Sequence, residues 1–208
     1  MQRAGDILEF WFGRGPWDAA RLTERATFWF GGNDDTPAMI AERDALIRTR
    51  LEPMLERAAR GEFASWAASP KRRLALILLF DQVPRNVYRG TAGAFAFDRD
   101  ALGLSVEGLQ LAADAALEPL ERLFFYLPLE HAESMEAQDT AAAALDRLVA
   151  DSPAELRDFC DYSRGSARRH RDIIAKFGRF PHRNHALGRE STPAELEWLA
   201  TGANTFGQ

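Results

Sequence analysis

Four times in this chain a hydroxyl residue stands directly before a proline: Thr36-Pro37, Ser69-Pro70, Ser152-Pro153 and Thr192-Pro193. A serine or threonine oxygen accepts a bond from an open amide in the first helical turn. Proline is favoured at the first helical position, where no amide hydrogen is needed. Each dipeptide therefore reads as a helix start. Glu155 and Glu195, three residues after Ser152 and Thr192, add the reciprocal carboxylate of a capping box. Gly61 after Arg60 and Gly178 after Phe177 read as helix stops. With the hydrophobic spacing, these signals predict helices over 4–12, 21–30, 37–60, 70–82, 99–112, 119–127, 134–150, 153–177 and 193–200. No sustained strand alternation and no Asn-Gly or Asp-Gly hairpin signal interrupts them. The expected fold is all-α, and the short connections between most helices make antiparallel helix pairs the natural arrangement.

Two stretches set the interior. Ile40, Ile47, Leu51, Met54, Leu55 and Ala58 lay an apolar stripe on the helix that starts at Pro37. Pro53 is expected to kink or split that helix, because it lacks an amide and its ring crowds the preceding turn. Leu74 through Phe80 is apolar on every side, the pattern of a central helix with no solvent face. Pro84 is expected to break the helix just beyond it.

At 208 residues the chain is expected to form one domain over 1–208, with a core that needs no staple. Cys160 is the only cysteine, so no internal disulfide is possible and nothing points to an oxidising compartment. The apolar run from Leu74 falls far short of the roughly 20 residues that span a bilayer. Met1 to Asp6 has no signal-peptide layout. The expectation is a soluble, cytoplasmic protein without a membrane partner. Arginine outnumbers lysine 24 to 2, as G/C-rich coding would produce, so its placement says more than its amount. Residues 164–189 hold eight Arg or Lys against one acid, whereas 100–161 hold fourteen acids against three arginines. These segments are expected to pack together and neutralise one another. With a net charge of -5 and no standard nucleic-acid motif, nucleic acid is not an expected partner. No internal repeat of fixed period is visible, and nothing sets the oligomeric state.

Three polar clusters adjoin the most apolar segments. The first runs from Asp81 to Thr91 and includes Arg85, Asn86, Tyr88 and Arg89. The second holds Tyr126, Pro128, Glu130, His131 and Glu133, followed by Gln138. The third holds His170 and then Arg179, His182, Arg183, Asn184, His185 and Arg189. The strings that carry these clusters resemble the bacterial "domain of unknown function 924" family. They are Leu74 through Gln82 with Pro84-Arg85-Asn86 and Arg89-Gly90, then Ala94-Phe95-Ala96 with Asp98. Tyr126-Leu127-Pro128 follows with Glu130-His131, Glu133 and Gln138, and last His170-Arg171 with Phe177 through Asn184 and Leu187-Gly188-Arg189. The resemblance spans roughly residues 7 to 200 and implies a TPR-like array of helix pairs, a right-handed α-α superhelix, with no established activity. Two positions depart from the family pattern: Ala132 replaces the usual small hydroxyl after the histidine, and Val83 replaces the usual phenylalanine before Pro84.

Several readings of the clusters compete. As pure structure, the arginines cap helix ends and pair with Asp81, Glu130 and Glu133, since buried charge must be paired. As a pocket, Arg85, Arg89, Arg179 and Arg183 hold an anionic group, with Glu130 and Glu133 fixing those arginines. Asn86, His131, His170, His182, Asn184 and Arg189 complete the candidate set. A planar guanidinium makes paired bonds to a carboxylate or phosphate that lysine cannot copy. The expected ligand is then an anionic small molecule or an acidic peptide or protein segment, in a groove formed by breaks after 70–82, around Pro128 and after Gly178. Tyr88, Tyr126, Trp11 or Trp29 could wall an apolar side, with plain core packing as the alternative for each. As an enzyme, His131 or His182 acts as base and Glu130 orients it, in hydrolase-like chemistry on a small polar substrate. No metal or cofactor is expected, because no His-Glu-x-x-His or Glu-x-x-His spacing occurs and nearby arginines repel a cation. Cys160 reads as an inert helical thiol and Ser134 as a helix cap.

Overall fold

The structure, a computed structural model, describes residues 3–32 and 34–202. The reading of the N-terminal six residues thus falls partly on Met1 and Gln2, outside the described residues. Ten α-helices are present among the described residues, and no strand. They are α1 Ala4–Phe12, α2 Ala19–Phe30, α3 Pro37–Ala59, α4 Pro70–Ile77, α5 Val83–Val87, α6 Asp98–Gln110, α7 Pro119–Glu130, α8 Met135–Asp151, α9 Ala154–Phe177 and α10 Pro193–Ala200. A π turn, Leu78–Gln82, joins α4 to α5. None of these helices is long and apolar enough to cross a membrane.

Most of the helix punctuation works as its chemistry requires. The Thr36 hydroxyl accepts from the Met39 amide at 3.3 Å. At α10, Thr192 accepts from the Glu195 amide while Glu195 Oε2 accepts from the Thr192 amide at 2.7 Å, a complete capping box. Gly61 and Gly178 lie at φ 78° and 70°, where a side chain would be strained. Ser134 caps α8. Ser152 is a correction: its hydroxyl donates to Leu148 O at 2.7 Å and Pro153 precedes the first turn of α9, so the expected capping box there does not form.

Three prolines bear on the expected helix breaks, and two of them differ from expectation in ways that shape the site. Pro53 lies within an unbroken α3. Pro84 does not break the buried helix. The Val83 amide reaches back five residues to Leu78 O, the turn widens, and Pro84 enters the first turn of α5, where its missing amide has no partner to lose. Pro128 sits inside α7, which continues to Glu130. The carbonyls at that end gain donors from elsewhere: Gln138 Nε2 bonds Glu130 O at 2.6 Å and Ala132 O at 2.9 Å, and Arg183 Nη1 bonds His131 O at 3.0 Å. Only the break after Gly178 is present as the sequence suggested.

The core lies around α4, whose Leu74 to Ile77 are buried together with Leu78 and Leu79 of the π turn. It packs against α1, α6 and α7. The α7, α8 and α9 helices pack in sequence through connections 131–134 and 152–153, too short for anything but antiparallel neighbours. The acidic and basic segments do meet. Arg171 pairs with Asp139 at 2.6 Å, Arg164 and Arg168 with Asp146 at 3.3 Å, and Arg189 with Glu133 at 2.7 Å. The outer pairs are half-exposed and each adds at most about 1 kcal/mol.

Candidate functional site

A cavity of about 340 Å³ opens where α2, α5, α7, α9 and the loop after Gly178 converge. Trp29 and Phe30 come from the end of α2, Arg85 and Asn86 from α5, and Gln82 from the π turn. Leu123, Leu127 and Glu130 lie on α7, with His131 just beyond. Phe159, Tyr162, Ser163, Ser166, Arg169 and His170 recur at three- and four-residue steps along one face of α9. His182 and Arg183 close the loop side. A second hollow of about 190 Å³, reaching Phe95 and His185, shares Arg85, Arg89 and His182 with the first.

Asp81 is the hub of the inner wall and is fully buried. The π turn turns it toward the end of α7, where its Oδ1 accepts from His131 Nδ1 at 2.8 Å and lies 3.3 Å from Arg85 Nη1. Its Oδ2 accepts from Gln82 Nε2 at 2.5 Å. Arg85 Nη1 also donates to Asp81 O at 2.6 Å, and Asn86 Nδ2 to Gln82 O at 2.8 Å, so side chains serve carbonyls of the widened turn. Asp98 stands between two guanidinium groups, 2.9 Å from Arg85 Nη1 and 3.2 Å from Arg183 Nη1. Arg183 is sandwiched by the Phe180 and Phe95 rings, 4.4 and 4.7 Å from its guanidinium carbon. Arg85 is 8% exposed and Arg183 5%. Even so, Arg85 Nε, Arg85 Nη2 and Arg183 Nε are buried with no hydrogen-bond partner among the described residues. Glu130 Oε1 is buried and unbonded in the same way, and its Oε2 lies 3.8 Å from His170 Nδ1, which bonds Ser166 O at 3.0 Å.

Two neighbouring carboxyls are driven apart by these surroundings. Burial opposes the charge on Asp81, but Arg85 and His131 more than offset it and hold that carboxyl well below the usual range. Glu130 has no such cation. Burial, reinforced by the Asp81 charge, pushes it from 4.5 to about 8, so it is chiefly a neutral acid at pH 7. Burial lowers His131, with Arg85 adding to the effect, takes His170 to about 3 and takes His182 to about 4. Burial and the Arg85 charge lower Arg183 to about 10, still a cation at neutral pH. With Asp81 ionised and His131 neutral, the ring proton sits on Nδ1, leaving the Nε2 lone pair free.

Eight of the twelve residues singled out from the sequence line the cavity: Arg85, Asn86, Arg89, Glu130, His131, His170, His182 and Arg183. The other four belong to a separate clamp on the loop before α10. Arg179 pairs with Glu195 at 2.6 Å. Arg189 pairs with Glu133 at 2.7 Å and bonds Asn184 Oδ1 at 2.9 Å, and Asn184 donates to Ser191 Oγ at 3.0 Å. The expected bracing of the arginines by Glu130 and Glu133 is also corrected. Asp81 and Asp98 hold Arg85, Asp98 holds Arg183, and Asp44 holds Arg89 at 2.8 Å. Among the expected aromatic walls, Trp29 lines the cavity, while Trp11 and Tyr126 are buried in the core. Sequence reasoning missed Phe30, Phe159, Tyr162, Ser166 and Arg169; their common α9 face, with His170 on it, was the available signal for four of them. Among the described residues no three His, Cys, Asp or Glu side chains group as a metal-ligating set.

Fold and site together define a class: an all-helical protein with a buried ionisable centre opening on a half-polar, half-aromatic cavity. The chain belongs to the bacterial family described as "Bacterial protein of unknown function (DUF924)", whose model matches residues 7–203. Its fold is similar to that of a solved protein of unknown function from Agrobacterium tumefaciens, ATU0120. The two are 35% identical over 96% of this chain and 97% of that one, with a TM-score of 0.76. No curated protein matches the chain.

Proposed function

We propose that the cavity binds a small organic anion against Arg85 and Arg183. The observation that carries this reading is that Arg85 and Arg183, each with buried guanidinium nitrogens that lack a partner among the described residues, line an open hollow. An unsatisfied buried donor costs about 1–3 kcal/mol, more when it is charged, and an anion supplies the missing acceptors. It also relieves the repulsion between Arg85 and Arg183, which lowers the Arg183 pKa. A volume of about 340 Å³ is at the small-molecule end of pocket sizes, which favours a small ligand over an acidic peptide segment.

A thermal-shift series with acetate, phosphate and short carboxylates tests the reading. At a hundred times its Kd, a ligand adds about 2.7 kcal/mol to the folded state. For a chain of this length that raises Tm by roughly 5–10 °C. The shift is expected to vanish in Arg183→Ala. No shift with any of these anions, or a shift that survives in Arg183→Ala, would remove the pocket.

The buried Asp81–His131 pair favours catalysis as a second reading. A histidine oriented through Nδ1 with Nε2 unprotonated is equipped to act as a general base. Turnover of generic esters or amides is then expected to disappear in His131→Ala with the fold intact. Turnover that persists in that variant contradicts it.

A further inference from the structure

Resting on the anion pocket, we infer that its ligand is an amphiphilic monocarboxylate, with its head at Arg85 and Arg183 and its apolar tail along Leu127, Phe159 and Trp29. The helices α7 and α9 wall the cavity and change character in the same direction. On α7, Leu123 and Leu127 precede Glu130 and His131; on α9, Phe159 and Tyr162 precede Ser166, Arg169 and His170. Two short reversals through α8 make α7 and α9 run the same way. Their like ends meet. The His131 and His170 rings are 6.1 Å apart at the polar end, and Trp29 packs on Phe124 at 4.8 Å and on Phe159 at 6.3 Å at the other. With a rise of about 1.5 Å per residue, the apolar-to-polar step spans about 10 Å from Leu123 to Glu130 and about 16 Å from Phe159 to His170. The aromatic end reaches the surface, where Phe30 is 54% and Tyr162 71% exposed, apolar area that a tail would cover.

Charge selects a monoanion. Arg85 and Arg183 are balanced by Asp81 and Asp98, Arg89 by Asp44, and Arg43 by Asp35 at 2.7 Å. Arg169 is the remaining cation of the wall, with no carboxylate in ion-pair range among the described residues, while Glu130 is chiefly neutral at pH 7. One negative charge matches the wall, whereas a dianion leaves a charge unmatched in a partly desolvated site.

Calorimetric titration of the full chain with acetate, butanoate, hexanoate and octanoate, and with succinate as the dianion, separates the possibilities. Kd is expected to fall about two- to fourfold per added methylene until the tail passes the aromatic end, with succinate weaker than butanoate. Arg183→Ala is expected to weaken every monocarboxylate by a similar factor. Phe30→Ser, at a largely exposed ring, is expected to shrink the ratio of octanoate to acetate affinity. Acetate binding that depends on Arg183 but does not tighten with chain length overturns the amphiphile and leaves the anion pocket standing. Affinities for the whole series that are undiminished in Arg183→Ala overturn the head-group placement. Failure of every carboxylate to bind removes the pocket itself.

Discussion

Asp81→Asn is expected to lower the unfolding free energy by about 3–5 kcal/mol near pH 7, measured by urea denaturation. The change keeps the shape and removes one charge. Asp81 is buried, with Arg85 and His131 on one oxygen and Gln82 on the other. Without its charge, Arg85 is left to share Asp98 with Arg183, two buried cations on one carboxylate. The sign of the pH dependence follows from the depressed folded pKa. The stability Asp81 contributes is present above its unfolded value of about 4 and is lost as pH falls through the folded value. Wild type and Asp81→Asn should therefore converge only in strong acid. A loss below about 1 kcal/mol at neutral pH would show that Asp81 is not the hub.

Glu130→Gln is expected to act in the opposite sense. With the folded pKa raised from 4.5 to about 8, the favourable linkage is complete below 4.5 and is lost as pH rises through the folded value. Between pH 5 and pH 8 this single carboxyl should remove about 3 kcal/mol from wild-type stability. The amide variant has no proton to lose, so its stability should stay flatter over that window and exceed wild type increasingly toward pH 8. Parallel pH profiles for the two proteins would mean that Glu130 ionises normally and that water reaches it freely.

Local chemistry made the helix boundaries legible. Thr36, Thr192, Gly61 and Gly178 act through neighbours a few residues away, so their roles can be read from the chain. The outcomes at Pro84 and Pro128 could not be read that way. A lone proline argues for a break, but donors brought by Gln138, Arg183 and the side chains of Arg85 and Asn86 satisfy the backbone around the disturbed turns. The continuity of α7 to Glu130 and the π turn before α5 set Asp81 against His131, a pair 50 residues apart along the chain. The residue types of the inner wall were visible because arginine, histidine and glutamate stand out beside apolar runs. The choice of acid partner was not, since Asp98 and Asp44 reach their arginines only through packing. The aromatic wall was hidden for a similar reason: Phe30 and Tyr162 resemble any other helical aromatic until the facing helices show which side is open.

The most direct measurement of the anion site is a set of proton–nitrogen correlation spectra of the arginine Nε–H groups, recorded while octanoate is added to the full chain. The Nε–H signals of Arg85 and Arg183, assigned by their loss in Arg85→Lys and Arg183→Lys, should move together and saturate with one affinity. Signals of the outer Arg164 and Arg171, held by Asp146 and Asp139, should stay in place. Unmoved Arg85 and Arg183 signals at a concentration that shifts the outer arginines would contradict a guanidinium-lined anion site.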